Sequence, residues 1–434
     1  MPLGCTHQKS RQGTPMEKPK LFETHKSFVW TMVILLFLFS IRLGWEYKNY
    51  TEFISKPFYY TYATVLNAYI KQKGKRSYQV LKLHSDNGLT FYTVTHQKEL
   101  LQNRRLRLQI FPSKKIGFTD YLGSFYVKSR IRSNDPVSAG VKEDVLEKVA
   151  SQHSDQKIGS FYNAIFFATP LSKEIREKIS LLGVSHLVAL SGFHLGILWA
   201  LVYGGLLLLY RPLQQRYFPY RYALFDVGLI AIVVLGIYVW FVGAPPSLIR
   251  SYAMILAGWA VLLMAIELLS FSFLAMVAAL LPVLFPSLSV SLGFWLSVAG
   301  VFYIFLLLQY FREYNKWLIT LLFIPVGIFL LMLPVVHMIF GTTSILQLFS
   351  PLLSILFIPF YPLVIFLHLL GMGNLLDNAL LWMFDLPSSG TEHFLPLWAG
   401  AVYVLLSLAA IRYRPMFYAA LGSAFTYAGF LFFF

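Results

Sequence analysis

Residues 183–198 read GVSHLVALSGFHLGIL, setting two histidines, two serines and three glycines into the start of the first long apolar run of the C-terminal half. At helical pitch Ser191 and His194 share a face, and His186 lies about 80° off it. An unsatisfied polar group inside a bilayer costs several kcal/mol, so these side chains should face a bundle interior or an aqueous path.

Working outward, the chain around this stretch is built for lipid. Of its 434 residues 57% are hydrophobic and only 13% charged. Apolar segments recur at 185–210, 222–242, 248–269, 271–286, 287–310, 317–340, 344–370, 394–411 and 415–434, many of them near the roughly 20 residues that cross a hydrocarbon core. The expected fold is a polytopic α-helical membrane protein with about eight or nine crossings, an N-terminal anchor included. Arg211, Arg216 and Arg221 mark one cytoplasmic loop, Arg312 and Lys316 a second, Arg412 and Arg414 a third. This count is consistent only if 344–370 does not simply cross. Pro351, Pro359 and Pro362 permit a broken or re-entrant helix there, leaving 371–393 outside.

Upstream, residues 1–27 form a polar, basic tail and 28–45 an uncleaved transmembrane anchor, which puts the N-terminus in the cytoplasm. Cys5 is the single cysteine, so no intramolecular disulfide and no cysteine-based zinc site is expected. Residues 46–135 are assigned to a small all-β, OB-like, extracytoplasmic domain. After a polar connector, YQVLKLH, the turn Asp86-Asn87-Gly88, LTFYTVT, RLRLQIF and SFYVKSRI read as four short strands between Tyr78 and about Arg132. Residues 136–184 read as a connector ending in the amphipathic LSKEIREKISLL, lying at the membrane surface or against the bundle. Residues 185–434 are the helical domain.

The net charge of +16 is concentrated in the β-domain. Residues 71–132 hold 14 Lys and Arg against 3 Asp and Glu, a net +11. Arg104, Arg105, Arg107, Lys114, Lys115, Lys128, Arg130 and Arg132 stand beside Tyr92, Phe111, Tyr121, Phe125 and Tyr126. Basic and aromatic residues interleaved in this way suit a groove for single-stranded nucleic acid, where charge tracks phosphates and rings stack bases. The alternative is a barrel whose aromatics are core and whose basic residues are a solvated or headgroup-facing surface.

Three further clusters interrupt the apolar runs. GAPPSLIR, residues 243–250, offers Gly243, Ser247 and Arg250 at a Pro-Pro break, with Arg250 either meeting an anionic cargo or snorkelling to the surface. SLSVSLGFWLS, residues 287–297, is rich in the small residues of close helix packing. FGTTSILQLFS, residues 340–350, sets Ser344 and Gln347 beside the prolines of the supposed broken helix, as a translocation path would need. Ser191 with His194 also has the spacing of a nucleophile and its base, though no orienting carboxylate is near in sequence. A metal pair of His186 and His194 has no third ligand in view. Hence no catalytic residue, metal or cofactor is assigned.

LGVSHLVALSGFHLGIL closely resembles the signature of the ComEC competence family, the inner-membrane DNA uptake channels of transformable bacteria. GAPPSLIRSYAM, PSLSVSLGFWLSVAG and FGTTSILQLFSPLLSILFIP resemble three further family segments in the same order. The resemblance implies passage of one DNA strand across the cytoplasmic membrane, with His186, Ser191, Gly192, His194, Ser247 and Arg250 at the shared motif positions. It also implies a periplasmic DNA receptor, a cytosolic helicase-like motor and single-strand-binding proteins as partners; with no P-loop pattern in the bundle, energy must come from such a motor or from the membrane potential and proton gradient. Trp295 stands where the family pattern has Gln, and Ser350 where Asn is often seen. Long family members carry a C-terminal metallo-β-lactamase-like domain whose His-x-His-x-Asp-His motif is not found here, so strand degradation is expected of another protein. The competing expectations are an intramembrane Ser/His hydrolase and a small-anion transporter, the latter having no use for the basic domain.

Overall fold

The computed structural model describes residues 21–22, 24–73, 76–97, 101–102, 104–136, 141–263, 270–387 and 389–433. Helix α1 (His25–Ser55) is the first element among the described residues, capped by the Thr24 hydroxyl, which accepts from the Ser27 amide at 3.2 Å. Hydropathy alone gives only its apolar outer part, 28–45. The helix runs on until Lys56, which precedes Pro57 and is therefore disfavoured in helical geometry. The extra turns carry Tyr50 and Phe53 into the β-domain, where the Tyr50 hydroxyl donates to the Ile116 carbonyl at 2.8 Å and Phe53 is buried.

That domain consists of β1 (Tyr59–Lys73), β2 (Arg76–Ser85), β3 (Thr90–Thr95), β4 (Arg104–Phe111), helix α2 (Phe118–Leu122), β5 (Phe125–Tyr126) and β6 (Lys128–Pro136). The hairpin at Asp86-Asn87-Gly88 forms as its turn residues require. The sequence reading assigned β1 to the connector, and the structure corrects this. An irregularity between Val65 and Asn67 shifts the strand's alternation by one residue, which hides the period of two. The strand order is β5-β3-β2-β1-β4-β6. Only Val127 separates β5 from β6, and its amide donates to the Tyr92 carbonyl at 2.9 Å. One continuous segment thus pairs with β3 in parallel and β4 in antiparallel fashion, closing the sheet into a barrel. Leu81, Leu83, Phe91, Leu106, Leu108 and Ile110 have no exposed surface, each contributing about 1.5–3 kcal/mol by burial.

The connector contains three helices, α3 (Val141–Ala150), α4 (Gln156–Phe167) and α5 (Lys173–Leu181), of which the sequence reading gave only the last. Then come α6 (Ser185–Val188), α7 (Gly192–Tyr217), α8 (Ala223–Phe241), α9 (Pro246–Leu263), α10 (Phe271–Leu284) and α11 (Leu292–Phe311). Helix α12 (Lys316–Leu318) passes through a π-turn into α13 (Ile324–His337). A short ribbon pairs β7 (Thr342–Thr343) with β8 (Thr391–Glu392), and between them lie α14 (Ser350–Leu369) and α15 (Asp377–Asp385); α16 (Leu397–Ala409) and α17 (Arg414–Phe433) follow.

Among the described residues seven helices are long and apolar enough to cross a membrane, while α10 and α16 are shorter. The chain is a multi-pass membrane protein. Side chains such as Leu208, Trp240 and Leu369, all more than three-quarters exposed, would be untenable in water in such numbers and face lipid instead. The expected break in 344–370 is also corrected. α14 runs without interruption through Pro359 and Pro362, and the irregular stretch lies before it, as a 3-10 turn at Ile345–Phe349.

The connector packs along α14. Ile158, Phe161 and Ile165 of α4, with Ile175 and Ile179 of α5, share one buried core with Phe357, Tyr361 and Val364. The small-residue stretch 287–297 forms a 3-10 turn, the Ser291 cap of α11 and the first turns of that helix, where Phe294 packs in one buried core with Val277 and Leu281 of α10. Trp295 there is half-exposed and donates its indole N–H to the Ser289 carbonyl at 2.9 Å.

Candidate functional site

The stretch 183–198 folds as a tight helix-to-helix junction. Gly183 adopts φ +69° to end α5, with the Val184 amide reaching back to the Ile179 carbonyl at 3.1 Å and that of Gly183 to Ser180 at 3.0 Å. One turn of α6 follows, and Ser191 then caps α7, its hydroxyl accepting from the Phe193 amide at 3.3 Å. His194 sits at the third helical position and turns Nδ1 back to the Ser191 amide at 3.4 Å, taking the place a Glu or Gln holds in a capping box.

What this junction meets is the other polar cluster picked out in the sequence. The Gln347 amide nitrogen donates to the Ser180 carbonyl at 3.4 Å and to Thr342 at 3.0 Å, and the Ser350 hydroxyl donates to Gly183 at 3.0 Å. Two carbonyls at the end of α5 thereby gain partners from α14 and the turn before it. His186 Nε2 lies 3.4 Å from the Ser354 hydroxyl. His194 is fully buried, edge-on to Phe357 and Tyr361 with ring centroids 5.1 and 4.8 Å away, and its Nε2 has no hydrogen-bond partner among the described residues.

The third cluster arrives from α9. A Cβ added to Gly192 would stand 3.3 Å from the Ser251 hydroxyl, so this glycine allows α7 and α9 to start side by side. Gly243, at φ +90°, ends α8, and the Lys142 ammonium caps the neighbouring Val242 carbonyl at 3.1 Å. Burial pulls the Lys142 ammonium below the usual lysine range. Ser247 and Arg250 belong to α9, but their side chains lie outside the described residues. The nine path candidates come from three clusters that share one end of the bundle. His194, Ser344 and Gln347 are buried there, whereas His186 and Gly192 are exposed. The Ser344 hydroxyl caps the 3-10 turn, accepting from the Leu346 amide at 3.4 Å.

On the β-domain a second set of candidates converges. The outward residues of β1, β4 and β6 form one stripe, because Tyr62 pairs directly with Arg107, and Tyr60 with Gln109, which pairs in turn with Arg130. The Arg107 guanidinium lies 5.9 and 5.8 Å from the rings of Tyr60 and Tyr62, and Arg105 lies 5.3 Å from Tyr62. Arg130 covers Phe111 at 5.7 Å, and Arg132 donates from Nε to the Gln109 side chain at 3.2 Å. Lys128 is exposed on the same strand, Lys114 and Lys115 are exposed on the loop after β4, and Arg104 begins that strand. Arg105 also pairs with Asp86 at 2.6 Å.

The aromatics are sorted differently from the sequence expectation. Tyr121 and Phe125 are barrel core, Phe111 and Tyr92 are half-covered, and Tyr126 is exposed. The rings that stand among the arginines are Tyr60 and Tyr62, 48% and 43% exposed, on the strand that sequence reasoning missed. Alternation in YYTYATV was the available signal.

A model of the competence protein family matches residues 168–433, from the end of the connector through α17. The chain belongs to the competence protein family. No curated protein and no solved structure matches it. Membership points to a role in competence or DNA uptake, and the matched span takes in the whole helix junction while leaving out the barrel. In this competence-family chain Ser350, at the position where Asn was expected, still bridges α14 to Gly183 through its hydroxyl. One further cluster, His153 with His368 and Asp377, escaped the sequence reading because its members are 224 residues apart at the extremes.

Proposed function

We propose that the chain conducts a single DNA strand across the bacterial cytoplasmic membrane during natural transformation. The observation that carries this reading is the stripe of Tyr60, Tyr62, Arg105, Arg107, Arg130 and Arg132 on a closed β-barrel joined to a competence-family helical domain. Rings exposed between guanidiniums offer stacking to any base and charge to the phosphates, which favours a strand whose bases are unpaired. The barrel order, with β1 between β2 and β4 and β3 parallel to β5, supports an OB-like domain. Its place is the periplasmic side, with the N-terminus cytoplasmic, in keeping with the basic flank of α1.

The strand then enters the bundle near the junction of α7, α9 and α14. The buried bonds of Gln347, Ser350 and Gly183 must part for it to pass, so the described conformation is the closed one. Contacts along the path have to be weak, since a polyanion held tightly would not move. Energy comes from a cytosolic helicase-like motor, DNA arrives from a periplasmic receptor, and single-strand-binding proteins receive it.

The hydrolase reading draws on the 3.4 Å approach of the Ser191 hydroxyl to His194 Nδ1. That same nitrogen faces the Ser191 amide, the hydroxyl is engaged by Phe193, and Nε2 meets no carboxylate among the described residues. The arrangement serves a helix cap better than a nucleophile and its base. Delivery of fluorescent DNA from periplasm to cytoplasm tests the proposal. Cells lacking the chain should accumulate label outside the cytoplasmic membrane, and undiminished cytoplasmic entry in those cells would refute it.

A further inference from the structure

Away from the helix junction and the barrel stripe, three titratable side chains meet where the turn after α3 touches the end of α14 and the start of α15. His153 Nδ1 lies 2.9 and 3.1 Å from the two carboxylate oxygens of Asp377, and its Nε2 lies 3.0 Å from Nε2 of His368. His368 Nδ1 lies 2.7 Å from the Val364 carbonyl. The His153 side chain has no exposed surface, and that of Asp377 keeps 12%. Tyr162 of α4 stacks on His153 with centroids 4.6 Å apart. Gln152 closes the arrangement, donating to the His368 carbonyl at 3.1 Å and accepting from the Gly373 amide at 2.9 Å.

The hydrogen-bond pattern fixes the number of protons. A carbonyl only accepts, so His368 Nδ1 must carry a hydrogen. With that imidazole neutral, its Nε2 is a lone pair, and His153 Nε2 must donate to it. On its other side His153 faces a carboxylate, which when ionised also only accepts, so Nδ1 must donate as well. Every bond is made when the three side chains share one proton beyond two neutral imidazoles and a carboxylate. Passing that proton to His368, or to the carboxyl oxygen, preserves every bond. Removing it sets two bare acceptors face to face, whereas a second proton on His368 sets two N–H groups against each other and one on Asp377 leaves its other oxygen to accept from His153.

We propose that Asp377, His153 and His368 form a binding site for a single proton that fastens the connector to the α14–α15 turn. Among the described residues, the other titratable group in contact with it is Tyr162, whose hydroxyl is pushed up by burial and stays neutral. Asp377 is the route of exchange, as the one member of the pair with His153 that retains exposed side-chain surface. Because the connector leads directly from the barrel to the first helix of the bundle, the state of this proton decides how firmly the barrel's tether is held. His153 lies upstream of the family-matched span, so the site joins a segment outside that span to one within it.

The test uses the full chain in lipid nanodiscs, with hydrogen exchange of residues 148–156 and 371–378 followed from about pH 5 to about pH 9 and corrected for intrinsic rates. Wild type should hold a plateau of protection that falls by about tenfold on the alkaline side, the scale expected for losing one charge-assisted bond. Asp377→Asn should flatten that profile, because an amide can donate to His153 Nδ1 with no additional proton. Identical pH profiles for the two proteins would overturn the proposal. Should the variant not fold, nitrogen-15 histidine and carbon-13 aspartate spectra of the wild type decide it. One shared proton at neutral pH is expected, and two neutral imidazoles beside an ionised carboxylate would overturn it.

Discussion

The helix junction at 183–194 and the stripe on the barrel are both polar regions of an apolar chain, yet they are held by opposite means. At the junction, glycines let backbones approach and buried side chains answer particular partners, as Gln347 and Ser350 do for the carbonyls of Ser180 and Gly183. On the stripe, charges and rings are exposed above a barrel core of Leu, Ile, Val and Phe side chains. The junction therefore depends on shape and the stripe on chemistry. A change of volume should damage the first, and a change of charge or aromaticity the second.

The largest expected effect comes from adding volume at the junction. Gly183→Val forces a branched residue to φ +69° and sets its Cβ 3.1 Å from the Gln347 side chain. A loss of about 2–4 kcal/mol is expected, read as thermal unfolding in detergent and as abolished transformation. Unchanged stability would mean that the junction is looser than its contacts show. Next is the double change Tyr60→Ala with Tyr62→Ala. Removing both rings should weaken oligonucleotide binding by about 1–3 kcal/mol for each base that stacks, as measured by fluorescence anisotropy, with the melting temperature little changed. Full retention of binding would remove the stripe from the DNA path.

A smaller effect separates capping from catalysis. Ser191→Ala deletes the cap of α7 and should cost about 1 kcal/mol while leaving most DNA delivery intact. Complete loss of function in a normally folded variant would restore the nucleophile reading. The smallest is a slope. Arg107→Ala with Arg130→Ala should reduce the dependence of log affinity on log salt by about 0.7 for each phosphate that is no longer neutralised. The same pair of changes should leave stability near wild type, because both guanidiniums are exposed.

Much of this contrast was legible beforehand. The motif residues His186, Ser191, Gly192 and His194 were found because polar side chains stand out in an apolar run, and the arginines of β4 because alternation exposes them. Tyr60 and Tyr62 were missed although YYTYATV alternates ahead of the irregularity, because the shift between Val65 and Asn67 breaks the period over the rest of β1. The 344–370 segment was misread because proline weakens a helix only where packing does not compensate, and the core shared by α14, α4 and α5 does. The buried triad of His153, His368 and Asp377 left no local signal at all.

By itself, the sequence determined the membrane-embedded class, the basic β-domain, the polar interruptions and the competence-family resemblance, because hydropathy, charge and short motifs are properties of neighbouring residues. Only the tertiary structure decided that three polar clusters share one end of the bundle, that Tyr60 and Tyr62 rather than Tyr121 and Phe125 stand among the arginines, and that two histidines and a carboxylate meet within hydrogen-bonding distance. Those facts depend on strand register and on helix contacts between residues far apart in the chain, and no local pattern encodes which distant partner a side chain will meet.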